Sequence, residues 1–165
     1  MQQYTSAATS INAVKIPALF GMVSWAGGLN VDLGGGRYDN VAGYLARYGT
    51  VNMVWDPFNR AEAHNERVQK IVTGRGGADT VTISNVLNVI DSREARFDLI
   101  KRASLWCRIG GRVYITVYEG DRSGTGRQTG LDQWQENRRT ADYIPEIREY
   151  FDHVERHGKL IVAWN

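Results

Sequence analysis

Two acids and three glycines stand where two strands are predicted to end. Leu29-Asn30-Val31-Asp32-Leu33 runs into Gly34-Gly35-Gly36 and then Arg37-Tyr38-Asp39-Asn40. One βα unit later, Val51-Asn52-Met53-Val54-Trp55 ends in Asp56-Pro57-Phe58. Glycines after an apolar strand let the backbone approach a ligand closely. An acid at the tip of the next strand can accept hydrogen bonds from ribose hydroxyls. Together they describe a pocket for a ligand that carries a nucleoside. Asp32 lies two residues before the first glycine, and a carboxylate there repels phosphate and attracts an ammonium group. The dinucleotide fingerprint also wants a third glycine at the start of the helix, and Tyr38 and Asp39 follow Gly36 instead. Both features argue against a nicotinamide-dependent oxidoreductase.

The elements that must position these residues alternate strand and helix, which predicts an α/β layered sheet. After a lead-in over residues 1–29, the pattern predicts a strand at 31–33 and a helix over 39–48 closed by Gly49. A second strand follows at 51–55, then an amphipathic helix over 61–72 ended by Gly74, Gly76 and Gly77. Thr80-Val81-Thr82-Ile83 reads as a β-branched strand. Residues 92–109 read as a long helix with Phe97, Ile100, Leu105 and Ile109 inward, stopped by Gly110-Gly111. A strand at 113–118 leads into the glycine-bearing stretch 119–130, read as a long surface loop or lid. A helix over 140–151 and a terminal hairpin about Gly158 close the chain.

At 165 residues with 42% apolar content, the chain is expected to form one domain, 1–165, with an adequate core. The net charge of +2 is scattered, so no basic block points to nucleic acid. A lone cysteine, Cys107, forms no internal disulfide or zinc cluster and reads as a small core residue. No metal site is expected, since His153 and His157 lack ligand partners at metal spacing. No stretch approaches the length of a membrane span, and Met1-Gln2-Gln3-Tyr4 lacks the charged start of a signal peptide. A cytoplasmic protein is the expectation.

The run strand, Asp32, Leu33, Gly34-Gly35-Gly36, helix resembles motif I of class I S-adenosylmethionine-dependent methyltransferases. The resemblance continues along most of the chain. Asp56 ends the second strand where that family binds ribose. Ser84-Asn85-Val86-Leu87-Asn88-Val89 ends the next strand where the family has its motif IV, and Gly110-Gly111 looks like its glycine pair before the fifth strand. Ser10-Ile11-Asn12, Lys15-Ile16-Pro17-Ala18, Asp56-Pro57-Phe58-Asn59-Arg60 and Asn85-Val86-Leu87-Asn88-Val89 further resemble a small methyltransferase-like group found in phages and beside DNA-phosphorothioation genes.

The resemblance implies a Rossmann-like three-layer sandwich with a mostly parallel central sheet. It implies S-adenosylmethionine as cofactor, held by Asp32, Gly34, Gly35, Gly36, Asp56, Pro57, Phe58, Ser84, Asn85 and Val86. The activity implied is methyl transfer to a small molecule or a nucleobase. The alternative is a module that binds S-adenosylmethionine or S-adenosylhomocysteine without turnover. The span between Asp56 and Asp79 is too short for the family's third strand with both flanking helices. One strand is therefore expected to be lost or reduced, and with it the usual adenine-binding acid. Asp79 begins a strand and substitutes poorly.

The remaining candidates stay open. Glu119, at the end of the fifth strand in family order, is the residue named for a general-base role. Asp56-Pro57-Phe58 is similar to the Asp-Pro-Pro-aromatic motif of amino-methylating DNA enzymes, but follows the wrong strand. Arg60, His64 and Asn65 read as a solvated or capping helix face. Lys15 reads either as a cofactor contact or as a surface lysine. Gln133, Trp134, Gln135 and Asn137 suit recognition of a planar polar group, and equally a helix packing its indole inward.

Overall fold

The structure is a computed structural model that describes residues 15–165, so Ser10, Ile11 and Asn12 lie outside it. In chain order the elements are α1 (Leu19–Met22), β1 (Gly28–Leu33), α2 (Asn40–Ala46), β2 (Thr50–Trp55), α3 (Glu62–Gly74), β3 (Ala78–Ser84), α4 (Arg93–Trp106) and β4 (Cys107–Thr116). They continue with β5 (Arg127–Gly130), β6 (Gln133–Gln135), α5 (Ile144–Arg148), β7 (His153–His157) and β8 (Leu160–Trp164). Six strands form one sheet in the order β2-β1-β3-β4-β8-β7, and β5 and β6 form a separate hairpin. The first four strands of the sheet are parallel, and β8 and β7 join antiparallel. This is the expected Rossmann-like sandwich, with β2 as an edge strand where a third strand would otherwise add.

Side-chain alternation explains the layers. Leu29, Val31 and Leu33 of β1 face a large core with Val68 and Val72 of α3, Leu99 and Ile100 of α4, and Ile147 of α5. On the opposite face, Leu19 and Phe20 of α1 and Val41 and Leu45 of α2 form a smaller core. Trp25 anchors it, stacking on Phe20 at 5.8 Å and meeting Tyr114 edge-on at 6.2 Å. The intervening β1 positions, Asn30 and Asp32, are polar and buried. They are satisfied across the sheet: Asn30 Nδ2 donates to Asn52 Oδ1 at 2.7 Å, and Thr80 Oγ1 donates to Asn30 Oδ1 at 2.8 Å.

Several predicted boundaries move. The long helix ends at Trp106, where Cys107 starts a strand, so Leu105 and Ile109 are exposed rather than inward. Gly111 permits this: a Cβ there would lie 2.7 Å from both the Asp79 carbonyl oxygen and Cys107 Sγ. Residues 133–135 are a strand, so the packed-helix alternative for Trp134 is not the one adopted. The helix at 140–151 is a 3-10 turn over Thr140–Tyr143 leading into the five-residue α5. The last third of the predicted surface loop becomes β5. Cys107 is largely enclosed, and burial pushes its thiol up to about 11, the behaviour of an inert thiol.

A buried ion network fixes the far side of the sheet. Arg96 of α4 donates to Glu146 of α5 through Nε at 3.0 Å and Nη2 at 3.1 Å, and to Glu136 at 2.8 Å. Arg138 reaches Glu146 at 2.9 Å. The chain leaving β6 is thereby locked to α4 and α5. No helix of the described residues is long and apolar enough to cross a membrane.

Candidate functional site

Because β1 to β4 run parallel, Gly34, Asp56, Asn85 and the chain after Thr116 emerge at one edge of the sheet. The strand order reverses direction between β1 and β3, which opens a crevice there. The reversal brings Gly34 against Val86. Gly34 has φ +74°, and a Cβ on it would sit 2.7 Å from Val86 Cγ2. Gly36 is also left-handed, at φ +80°. Glycine is required at Gly34 on both counts, conformation and space.

Asp56 is buried beside this turn, and its carboxylate is fully engaged. One oxygen accepts from the N–H groups of Phe58 (2.9 Å) and Asn59 (3.0 Å). The other accepts from Gly36 N–H (2.9 Å) and Asn59 Nδ2 (3.1 Å). Arg60 completes the clamp, its Nε donating to the Gly36 carbonyl at 2.7 Å and Nη2 to the Tyr38 carbonyl at 2.9 Å. Asn65 closes around the backbone of Asp56, accepting from its N–H at 3.1 Å and donating to its carbonyl at 2.9 Å. His64 Nε2 lies 2.8 Å from the Val54 carbonyl. Arg60, His64 and Asn65, expected on a solvated or capping face, instead hold strand ends: Arg60 ties its own loop to the turn after β1, and His64 and Asn65 bind the end of β2. Their spacing after Asp56 was the available signal, and only the turn geometry gives it meaning.

Asp32 is placed differently from expectation. It faces the α1/α2 side and is not part of the cavity wall described below. It accepts from Thr82 Oγ1 at 2.8 Å, and a Cβ on Gly35 would overlap its carboxylate. Gly35 is likewise behind the turn, buried over Asp32. Burial pushes the Asp32 carboxyl up to about 7, with the Thr82 hydrogen bond opposing and the Asp56 charge reinforcing the rise. Asp32 supports the turn from below.

The opposite wall comes from the end of β3. Asn85 is left-handed at φ 55°, held by its N–H donating to the Thr116 carbonyl at 2.9 Å. That sharp exit lays Ser84, Asn85 and Val86 along the crevice. Ser84 Oγ is buried without a hydrogen-bond partner among the described residues.

A ring of hydrogen bonds then ties the β5–β6 hairpin down as a roof. Asn88 Nδ2 donates to Gln135 Oε1 at 3.1 Å, Gln135 Nε2 to the Tyr118 carbonyl at 2.9 Å, and Tyr118 N–H to Asn88 Oδ1 at 3.3 Å. Glu136 N–H donates to the Asn88 carbonyl at 2.8 Å. The sequence showed the polar–aromatic cluster but not its attachment, because Asn88 and Gln135 are far apart in the chain.

These walls enclose a cavity of about 800 Å³. Gly34, Gly36, Asp56, Pro57 and Phe58 line it on one side, and Ser84, Asn85 and Val86 on the other. Tyr118 and Trp134 close it above, and α4 contributes Asp98 and Arg102. Arg102 lies over the Trp55 ring at 4.1 Å.

Glu119 is not among the lining residues. Its Oε1 accepts from Thr140 N–H (2.9 Å) and Oγ1 (2.8 Å), and Oε2 pairs with Arg122 at 2.7 Å. The Thr140 hydrogen bonds hold its carboxyl down at about 2, which makes its carboxylate a weak base. Asp79 stands at the start of β3, accepting from Leu29 N–H at 2.8 Å and pairing with Arg108, away from the crevice. Lys15 is exposed, its carbonyl accepting from Asn40. Among the described residues no group of three or more His, Cys, Asp or Glu is placed to hold a metal ion.

The architecture is the fold of class I S-adenosylmethionine-dependent methyltransferases. It is similar to 1,6-didemethyltoxoflavin-N1-methyltransferase of Burkholderia thailandensis, solved with 1,6-didemethyltoxoflavin and S-adenosylhomocysteine: TM-score 0.59, 16% identity, 88% of this chain and 72% of that one. An O-methyltransferase family protein from the same organism matches with TM-score 0.52 and 19% identity over 92% of this chain, which spans 53% of its length. A TehB-like methyltransferase of Corynebacterium glutamicum matches with TM-score 0.52 and 11% identity over 94% of this chain and 92% of that one. No protein-family model and no curated protein matches the sequence.

Proposed function

We propose that this protein is an S-adenosylmethionine-dependent methyltransferase. The observation that carries the reading is the crevice between β1 and β3, with the Gly34–Gly36 turn on one wall and the Asp56 loop clamped to it. The site fits the cofactor on its own evidence. Gly34 and Gly36 bring left-handed backbone, bare of side chain, to the cavity wall, and Ser84 Oγ is a buried polar atom without a partner among the described residues. The cofactor supplies a methyl group made electrophilic by its sulfonium. The remaining work, orienting the reactants and excluding water, falls to the protein.

Each wall then has a task. The glycine turn accepts the amino-acid part of the cofactor, with Ser84 and Asn85 opposite. Asp56 shapes the ribose subsite, but its four acceptor positions are taken. The hydroxyls are therefore met by Asn59, whose Nδ2 is committed to Asp56 and whose Oδ1 has no donor among the described residues. Pro57 and Val86 sandwich the adenine, and Asp98 of α4 supplies an acceptor for its amino group in place of the acid a third strand would bring. The acceptor enters beneath the hairpin roof.

Calorimetric titration with S-adenosylmethionine, S-adenosylhomocysteine and NAD tests the reading. Micromolar binding of the first two, with NAD silent, is expected. Failure of both to bind would remove the assignment.

A further inference from the structure

The arginine at the α4 end of the cavity is held in place, yet its hydrogen-bond donors are unused. The Arg102 guanidinium carbon lies 4.1 Å from the centre of the Trp55 ring and 4.9 Å from that of Trp106. The two indoles meet edge to face at 5.9 Å, so the guanidinium sits in an aromatic corner. Among the described residues it donates no hydrogen bond and joins no ion pair. Arg60, Arg96 and Arg138, by contrast, each meet a carboxylate. Burial lowers the pKa of Arg102, with the Asp98 charge opposing the fall. A cation behaves so when it gives up water without gaining an acceptor.

The acid best placed to pair with it does not. Asp98 stands one helical turn earlier on α4, the spacing and order at which an acid and an arginine attract each other. It lines the same cavity and accepts no hydrogen bond among the described residues. Arg102 has turned to the indoles instead. One cavity wall therefore carries an acceptor and a donor a helical turn apart, each with its capacity open.

Trp55, which Arg102 covers, comes two residues before Pro57, the residue that packs on the adenine in the methyltransferase reading. Resting on that reading, we infer that Arg102 is a specificity-determining residue. Together with Asp98 it reads the amino edge of the cofactor's purine. The carboxylate accepts from the exocyclic amino group, and the guanidinium donates to one of the two ring nitrogens nearest that group.

The chemistry of the pair makes it selective. An aminopurine edge presents a donor beside an acceptor. A carboxylate only accepts and a guanidinium only donates, so neither can turn to suit the reverse pattern. An oxopurine would set its carbonyl oxygen against Asp98 and leave both charged groups without their partners. A side-chain amide in either place would flip and tolerate both bases. The support is also particular to this chain. β2 is an edge strand and Trp55 is its last residue, so the indole corner fixes the donor where no third strand stands beside it. Glu94, another lining acid, lies a further turn from Arg102, and Ser84 is on the wall opposite the glycine turn.

The test is calorimetric titration with S-adenosylhomocysteine, its oxopurine counterpart S-inosylhomocysteine, and two deaza analogues. In each analogue CH replaces one of the two ring nitrogens nearest the amino group. If wild type fails to bind S-adenosylhomocysteine, the methyltransferase reading falls and this inference with it. Given binding, S-inosylhomocysteine and one of the deaza analogues should each bind roughly tenfold or more weakly. Arg102→Met keeps an apolar chain on the indoles without donors. It should weaken S-adenosylhomocysteine roughly tenfold and abolish the deaza penalty, a coupling that a merely structural role would not produce. Asp98→Asn should narrow the gap to S-inosylhomocysteine, and Glu94→Gln should leave it as in wild type. Equal binding of all four ligands by wild type would overturn the inference and leave the methyltransferase reading standing. So would a loss in Arg102→Met that is the same for every ligand, or a preference that follows Glu94 instead of Asp98.

Discussion

The Gly36 N–H donates to the Asp56 carboxylate at 2.9 Å, joining the turn after β1 to the turn after β2. Arg60 grips the carbonyl of the same glycine at 2.7 Å. The Gly36 peptide is therefore held from both sides by residues of one neighbouring loop. The acid read in sequence as a ligand contact is, in the structure, the fastener that shapes the pocket.

This fastening role sets the outcome of changing it. Asp56→Ala leaves four donors without their acceptor, and the enclosed ones lose on the order of 1–3 kcal/mol each. The variant should unfold at markedly lower denaturant and lose S-adenosylmethionine affinity together. Asp56→Asn keeps one acceptor oxygen and should fall between wild type and alanine in both measurements. Denaturation and calorimetry on the same samples check this. Full stability with lost binding would mean that Asp56 acts on the ligand alone.

Gly34 separates two costs. Gly34→Ala meets Val86 and also forces a side chain into φ +74°. The left-handed conformation alone costs roughly 1–2 kcal/mol. Val86→Ala on that background should recover the steric part of the stability loss and leave the conformational part. Equal stability of the single and double variants would show that Val86 simply moves aside.

Asp32 predicts a pH dependence with a definite sign. Its folded carboxyl holds a proton up to about 7, against an ordinary 3.8. The stability it contributes is complete below about pH 4 and is lost as pH rises through about 7. The difference is on the order of 4 kcal/mol. Thermal unfolding from about pH 4 to about pH 8 should show a falling Tm in wild type, and a flatter profile in Asp32→Asn. A wild-type profile parallel to the variant would place the ionisation elsewhere.

Glu119 titrates in the opposite sense. Held down at about 2 by Thr140, it contributes stability above its ordinary range near 4.5, lost as pH falls through about 2. Glu119→Ala leaves the buried Thr140 donors unpaired and should cost about 1–3 kcal/mol. Because Glu119 is outside the cavity wall, kcat should be nearly unchanged at neutral pH. A large fall in kcat with stability intact would restore it as a base.

Local signals made much of the site legible. Glycines after an apolar strand have few uses besides a tight, close-approach turn, so Gly34 and Gly36 were readable. So was Asp56, because an acid at the end of an apolar run marks a strand tip. Asn59, Arg60 and Asn65 were visible only as polar residues on a helix start. Their partners are backbone groups of another strand end, and no spacing rule encodes those. Trp134 showed its type but not its role, since a three-residue strand between turns lacks the length for a period to declare itself.

The sequence by itself determined the alternation of strands and helices, the missing third strand and the crevice that the glycine turn opens. Those follow from short-range patterns: apolar runs, glycine stops and the length between Asp56 and Asp79. Tertiary structure decided which way each polar group faces. Strand pairing sent Asp32 beneath the turn to Thr82, and the chain path after β4 carried Glu119 to Thr140 and out of the cavity. Pairing and packing join residues far apart in the chain, so direction and partnership are set only when the sheet assembles.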